Sequence, residues 1–184
     1  MPKIKIDPEE VDIRYSNWIS MLIDMMKPKN LFLYGGRGVA KTTDIMAKRT
    51  IDIVEDLPGG VFSFISDTFV NAMTNIIPNI LEGWERNRFF EKAHYVIDER
   101  APISWLRNQP LKLSEWKRSI TTYNGCIFLI KSLDRPSVNA GISVIHRIGD
   151  EAKYLNEDKL KKTVPTNRGS RLKFGHSPLS LIHI

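Results

Sequence analysis

Leu31-Phe32-Leu33-Tyr34-Gly35-Gly36-Arg37-Gly38-Val39-Ala40-Lys41-Thr42 decides how this sequence folds. Four apolar residues read as a short buried strand, Leu31 to Tyr34, and run straight into glycines. A helical pattern follows from Thr42 to Val54, with Ile45, Ala47 and Ile51 as its inward candidates. Strand, glycine-rich turn and helix in that order make an anion cradle. The backbone N–H groups of the turn point inward, and the helix N-terminus adds a favourable dipole.

The stretch from Gly35 to Thr42 resembles a Walker A phosphate loop. In that reading Gly35, Gly36, Arg37, Gly38, Val39, Ala40, Lys41 and Thr42 wrap the phosphates of ATP. Lys41 reaches the β- and γ-phosphates and the Thr42 hydroxyl ligates Mg²⁺. The motif's second glycine is replaced by Ala40. The backbone N–H survives there, and Gly38 is left to supply a positive-φ turn. Arg37 has two readings. It is either a solvated turn residue or a cation that senses the γ-phosphate and stabilises its transition-state charge.

Outward from the loop, short strand-like runs alternate with longer helical patterns, which predicts an α/β fold with a largely parallel sheet. Val11 to Met26 carries Ile13, Trp18, Ile19, Leu22 and Ile23 at helical spacing and ends near Lys27-Pro28. Asp56 to Gly60 is a turn, and Val61 to Ile65 the second strand. Thr68 to Arg86 is helical, kinked or divided at Pro78. Tyr95-Val96-Ile97 is a strand. Asn124-Gly125 between Ile120–Tyr123 and Cys126–Ile130 predicts a two-residue hairpin, because both residues tolerate positive φ. Ser143 to Ile148 is the next strand, and Asp158 to Thr163 a helix ending before Pro165.

The run Val144-Ile145-His146-Arg147-Ile148-Gly149-Asp150-Glu151 resembles a Walker B segment. A strand of this kind would deliver Asp150 to Mg²⁺ and place Glu151 to polarise the attacking water. His146 and Arg147 interrupt the apolar run, which predicts that one of them points out of a partly covered sheet face. The space between Lys41 and Asp150 leaves room for the strands that bring both ends together in a doubly wound sheet.

Composition narrows the class. Apolar residues make up 42% of the 184 and charged residues 26%, ordinary values for a globular fold of one domain. No apolar run approaches the ~20 residues that cross a bilayer. Cys126 is the sole cysteine, so an internal disulfide is excluded. The net charge of +6 and pI near 9.4 favour polyanionic partners, nucleic acid and nucleotides included.

Taken together, the two nucleotide motifs resemble those of the large terminase subunit of tailed phages. The loop Gly35 to Thr42 is similar to that family's arginine-containing phosphate loops. Asn124 to Ile130, Asn139-Ala140-Gly141-Ile142, Asp150 to Leu155 and Val164 to Gly169 are similar to segments that follow. The resemblance covers residues 15 to 178 and implies a RecA-like P-loop NTPase core with helices flanking a central, mostly parallel sheet. It implies ATP hydrolysis that drives double-stranded DNA into a procapsid in the host cytoplasm. ATP and Mg²⁺ are the implied cofactors, Thr42 and Asp150 the metal residues, and Glu151 and Arg37 the catalytic ones. Portal, procapsid and small terminase subunit are the implied partners of a full-length homo-oligomeric ring. The family's coupling motif and RNase H-type nuclease domain are not visible in the sequence.

Leu179-Ser180-Leu181-Ile182-His183-Ile184 reads as a translated transposon-end sequencing adaptor, so 1–178 is expected to be a native ATPase domain incomplete at its C-terminal end, with 179–184 a non-native tail. The alternative is an ordinary apolar terminal strand. Two other functions share parts of this pattern. A helicase-type ATPase would carry the same motifs with a second RecA-like domain downstream. A DNA- or capsid-binding fragment would use the loop as a mere turn. Trp18, Trp84, Trp105 and Trp116 are read as packing residues first and stacking platforms second. Tyr15 and Trp18 precede the loop where an adenine pocket would form. Lys159 to Lys162, with Arg168, Arg171 and Lys173, is either a solvated face or a positive DNA-facing region.

Overall fold

A computed structural model describes residues 18–28, 30–36, 38, 40–107, 111–134, 142–150, 155, 156, 158, 159, 161, 180 and 181. From the N-terminal side come α1 (Trp18–Met26), β1 (Asn30–Leu31), a π-helical stretch (Lys41–Met46), α2 (Ala47–Asp56) and β2 (Val61–Ser66). Next are α3 (Phe69–Asn71), a second π-helical stretch (Ala72–Ile76), α4 (Ile77–Arg86), β3 (Tyr95–Ile97) and α5 (Ile103–Leu106). Then follow β4 (Ser119–Thr122), β5 (Ile127–Ser132), β6 (His146–Gly149) and β7 (Ser180–Leu181).

The main sheet has the order β3-β4-β5-β2-β6. Strand β2 pairs in parallel with β5 and β6, and β4 pairs antiparallel with β3 and β5. Within this sheet β4 alone runs against the others, so the carboxyl ends of β2, β5 and β6 share one edge. Strand β1 pairs in parallel with β7, in a separate ladder. Ser180 and Leu181 of that ladder fall within the six residues expected to form a tail.

Both faces of the sheet are covered, as parallel strands require. On one face Phe62, Phe64, Phe128, Ile130 and Ile148 pack against Met46, Ile53, Val54, Ile77, Ile80 and Trp84 of the helices. On the other, Val61, Ile127, Leu129 and Val144 meet Leu111, Leu113 and Ile142. The fully buried Trp84 donates its indole N–H to Thr50 Oγ1 at 2.8 Å, which satisfies the one polar atom of its ring.

Gly83 sets how closely α4 can approach the helix that follows the glycine loop. A methyl group built on it would lie 2.1 Å from the Thr43 carbonyl oxygen and 2.4 Å from the Ala47 Cβ. A bare Cα at this crossing lets backbone meet backbone. Pro78 falls at the start of α4, directly after the π-helical stretch, so the expected division occurs where its missing N–H would break an interior bond.

At several points the structure departs from the pattern of the sequence. Strand β1 covers only Asn30–Leu31, and Phe32 and Tyr34 are exposed rather than buried, because among the described residues β1 pairs with β7 alone and the chain leaves the ladder at once. The Asn124-Gly125 hairpin is closed by three residues. Gly125 N–H donates to Thr122 O at 2.9 Å and Thr122 N–H to Cys126 O at 3.0 Å, with positive φ at Gly125 and not at Asn124. That is the turn followed by a left-handed glycine, the next commonest hairpin closure. Strand β6 begins at His146 rather than Ser143. His146 and Arg147 are both buried, because this sheet is covered on each side. His146 stacks on Phe62 at 5.7 Å, and burial pushes the Arg147 guanidinium down to about 10.

Candidate functional site: a glycine loop facing a strand-end aspartate

Among its described residues, the loop from Gly35 onward enters the left-handed region at Gly38 and Ala40 before the helix begins. Gly38 has φ 81°, and Ala40 has φ 50° and ψ 31°. The Ala40 carbonyl accepts the Asp44 N–H at 2.9 Å, so the left-handed residue starts the helix directly. Holding an alanine there costs about 1–2 kcal/mol relative to glycine, since its Cβ crowds the carbonyl. Gly36 and Gly38 both face open space, with nothing within 4 Å of an added Cβ.

Lys41 curls back over this loop. Its ammonium donates to the Gly35 and Gly36 carbonyl oxygens, each at 2.9 Å. Thr42 lies one residue further, where its hydroxyl donates to Asp150 Oδ2 at 2.6 Å. Asp150 follows directly on β6 and is buried. The two sequence-selected segments therefore meet at the carboxyl edge of the sheet, where open α/β folds bind their ligands. Of the residues singled out, Gly35, Gly36, Gly38, Ala40, Lys41, Thr42 and Asp150 are described. Arg37, Val39 and Glu151 lie outside the described residues.

Beside the loop is a cavity of about 430 Å³, in the range of small-molecule pockets. Its apolar wall is Ile19, Leu33, Tyr34 and Ile45, and its polar side is formed by the loop and Lys41. In the sequence, Tyr15 and Trp18 are the aromatic residues that precede the loop where an adenine pocket is expected. Trp18 is 73% exposed and does not line the cavity, while its neighbour Ile19 does; Tyr15 lies outside the described residues. Leu33 and Tyr34 are legible in the sequence as apolar residues abutting the glycines, but the pattern alone assigns them to strand core.

Polar contacts hold α1 against the helix that carries Lys41. Ser20 Oγ donates to Asp44 Oδ2 at 2.8 Å, and Lys48 pairs with Asp24. This explains why Ser20 and Ile23, rather than the wider apolar stripe, are the buried residues of α1. At the end of neighbouring β2, Asp67 Oδ1 accepts from Ser66 Oγ at 2.9 Å and from Asn71 Nδ2 at 2.8 Å. Partial burial would raise that carboxyl, but these hydrogen bonds to the ionised form prevail and hold it below the usual range.

The fold is the one seen in large terminase ATPase domains. The large terminase from a thermophilic bacteriophage superposes with a TM-score of 0.59 at 11% identity, over 86% of this chain and 34% of that one. The same protein in complex with ADP gives 0.58 at 11% identity, over 87% of this chain and 34% of that one. The Thermus phage P74-26 large terminase ATPase domain gives 0.56 at 18% identity, over 92% of this chain and 64% of that one. The present chain thus spans about a third of the length of the first of these terminases. No family model matches the sequence, and no curated protein does. Among the described residues no helix is long and apolar enough to cross a membrane.

Proposed function

We propose that this chain is the nucleotide-hydrolysing core of a viral DNA-packaging motor of the large terminase kind. The observation that carries the proposal is the Thr42–Asp150 hydrogen bond, which joins the end of a glycine loop to the end of a distant strand. In P-loop enzymes a hydroxyl and a carboxylate so placed flank one divalent cation.

The residues present fit ATP and Mg²⁺. Gly35, Gly36, Gly38 and Ala40, with Arg37 and Val39 between them in the sequence, would give backbone N–H groups to phosphate oxygens. Lys41 rests on two loop carbonyls, and its ammonium would pair with a phosphate bound by the loop. The cavity wall of Ile19, Leu33, Tyr34 and Ile45 suits a flat apolar base. Thr42 and Asp150 would hold Mg²⁺, which supplies charge neutralisation as the phosphoryl group transfers. Glu151 is assigned to orient and polarise the attacking water, and Arg37 to the charge that develops on the phosphate. The thermophilic phage terminase solved with ADP and with ATP-γ-S supports a nucleotide for this site.

The basic balance of the chain fits a double-stranded DNA track. A full-length homo-oligomeric ring, docked on portal and procapsid with the small terminase subunit in the host cytoplasm, completes the proposal. The nuclease activity belongs to a further domain of such a protein. Residues 1–178 are proposed as native domain and 179–184 as a tail, which adaptor-trimmed long reads of the source DNA test directly. For the motor, the test is steady-state ATP hydrolysis with duplex or single-stranded DNA added. Stimulation by duplex DNA is the expected result; stimulation by single strands alone would move the protein to helicase-type ATPases.

A further inference from the structure

A second cavity, of about 330 Å³, opens on the sheet face opposite α2 and α4. Phe69, from the first turn after β2, forms part of its wall, and Lys131 and Ser132 of β5 line it. Asp150 follows directly on β6 and Ser132 ends β5, and both strands run parallel to β2. The cavity therefore shares a sheet edge with the glycine loop while using none of its residues.

Basic side chains predominate around it. Lys112, Lys117, Arg118 and Lys131 line the cavity, with Glu115 the one carboxylate among its described lining residues, while Asp98 accepts from the Arg118 N–H and Asp134 from Ser132 Oγ. Arg118 is held in place with some strain. It has φ 61°, donates its backbone N–H to Asp98 Oδ1, and sets its guanidinium carbon 4.3 Å from the Phe69 ring centroid. Strained non-glycine backbone of this kind persists where surrounding structure demands it. Lys131 is partly buried, and burial together with the nearby Arg147 guanidinium pushes its amine down to about 8. A half-buried amine beside a second cation gains most from an incoming anion. Apolar walls lower the local dielectric and strengthen that attraction.

We propose that this cavity is a phosphate site that grips the sugar–phosphate backbone of duplex DNA, with Arg118 and Lys131 as its paired contacts. The choice of duplex DNA as the source of the phosphate rests on the motor reading above. A phosphate held at this edge would move with the strands that carry Asp150, which links the track to the nucleotide loop.

The test uses the full chain and a fluorescein-labelled duplex, with anisotropy read across a salt series. Arg118→Gln/Lys131→Met should weaken duplex binding at least ~10-fold and lower the salt slope by about 2, because two phosphate contacts are lost. Nucleotide affinity should be unchanged. Lys41→Ala should do the reverse, so failure of the nucleotide site and failure of this site give different patterns. Duplex affinity and salt slope equal to wild type in the double variant would overturn the proposal. A second measurement needs no variant. Amine acylation of the wild-type chain, read by peptide mass spectrometry, should show Lys131 protected by duplex DNA. Protection by inorganic phosphate at matched ionic strength, but not by duplex, would reassign the cavity to free phosphate and overturn the DNA contact. Absence of protection by either would overturn both.

Discussion

Thr42 and Asp150 are separated by 108 positions in the chain and joined by a 2.6 Å hydrogen bond. The bond closes a polar junction between the helix that follows the glycine loop and the end of β6. Its strength makes Asp150 a residue whose structural and chemical contributions can be separated. Asp150→Asn keeps an acceptor for the Thr42 hydroxyl but removes the charge, so its stability should stay within about 1 kcal/mol of wild type. Under the proposed function, Mg²⁺-dependent ATP hydrolysis should nevertheless fall at least ~100-fold, because the cation would lose an anionic partner. Asp150→Ala leaves a partly buried hydroxyl unpaired and should cost about 1–2 kcal/mol as well. Urea midpoints and turnover measured on the same samples check both.

Ala40 occupies a left-handed position where the motif ordinarily has glycine. Ala40→Gly should raise stability by about 1 kcal/mol, the relief of Cβ crowding less the extra freedom of glycine when unfolded. A lower urea midpoint for the variant would contradict the loop conformation.

Gly83 is the contact point between α4 and the helix behind the loop. Gly83→Ala forces a methyl group into the Thr43 carbonyl and the Ala47 side chain, at separations of 2.1 and 2.4 Å. The helices must part, at a cost of about 3 kcal/mol. Nucleotide affinity should fall with it, since Thr42 and Lys41 sit one and two residues before Thr43. Thermal melts and nucleotide titration provide the two readouts.

Lys131 carries a pH signature. Its amine is lowered from 10.5 to about 8 by burial and by Arg147. Between those values the folded chain binds fewer protons than the unfolded chain, so stability rises with pH across that window. Below about pH 8 the penalty for charging the amine is fully present. Lys131→Met should therefore stabilise the protein at pH 7, by about 1 kcal/mol after allowance for solvent screening, and the gain should vanish towards pH 10.5. A variant that is more stable yet binds duplex less tightly would separate the proposed DNA contact from any effect on folding.

Much of this fold is written in local pattern. The alternation of Phe62 and Phe64 with Val61 and Ser63 marks β2, and Asn124-Gly125 marks the hairpin, because strand period and turn chemistry are local properties. The pairing of Thr42 with Asp150 is legible as two motifs, each with its own strand context. What escapes depends on tertiary surroundings. His146 and Arg147 look like breaks in an apolar run until the second face of the sheet is known to be covered. Ser20 looks like a solvent residue of α1 until Asp44 is placed opposite its hydroxyl. The 330 Å³ cavity gathers Phe69, Lys112, Arg118 and Lys131 from separate elements, and no sequence spacing announces that meeting.

The proposed motor stands on a nucleotide held by the glycine loop through Lys41 and Thr42. Titration of the purified chain with a fluorescent ATP analogue in Mg²⁺, alongside Lys41→Ala, tests it most directly. Saturable binding by wild type, weakened at least ~100-fold in the variant through loss of a charged phosphate contact, is the result expected. Equal affinity in both proteins, or no binding by a folded wild-type chain, would contradict it.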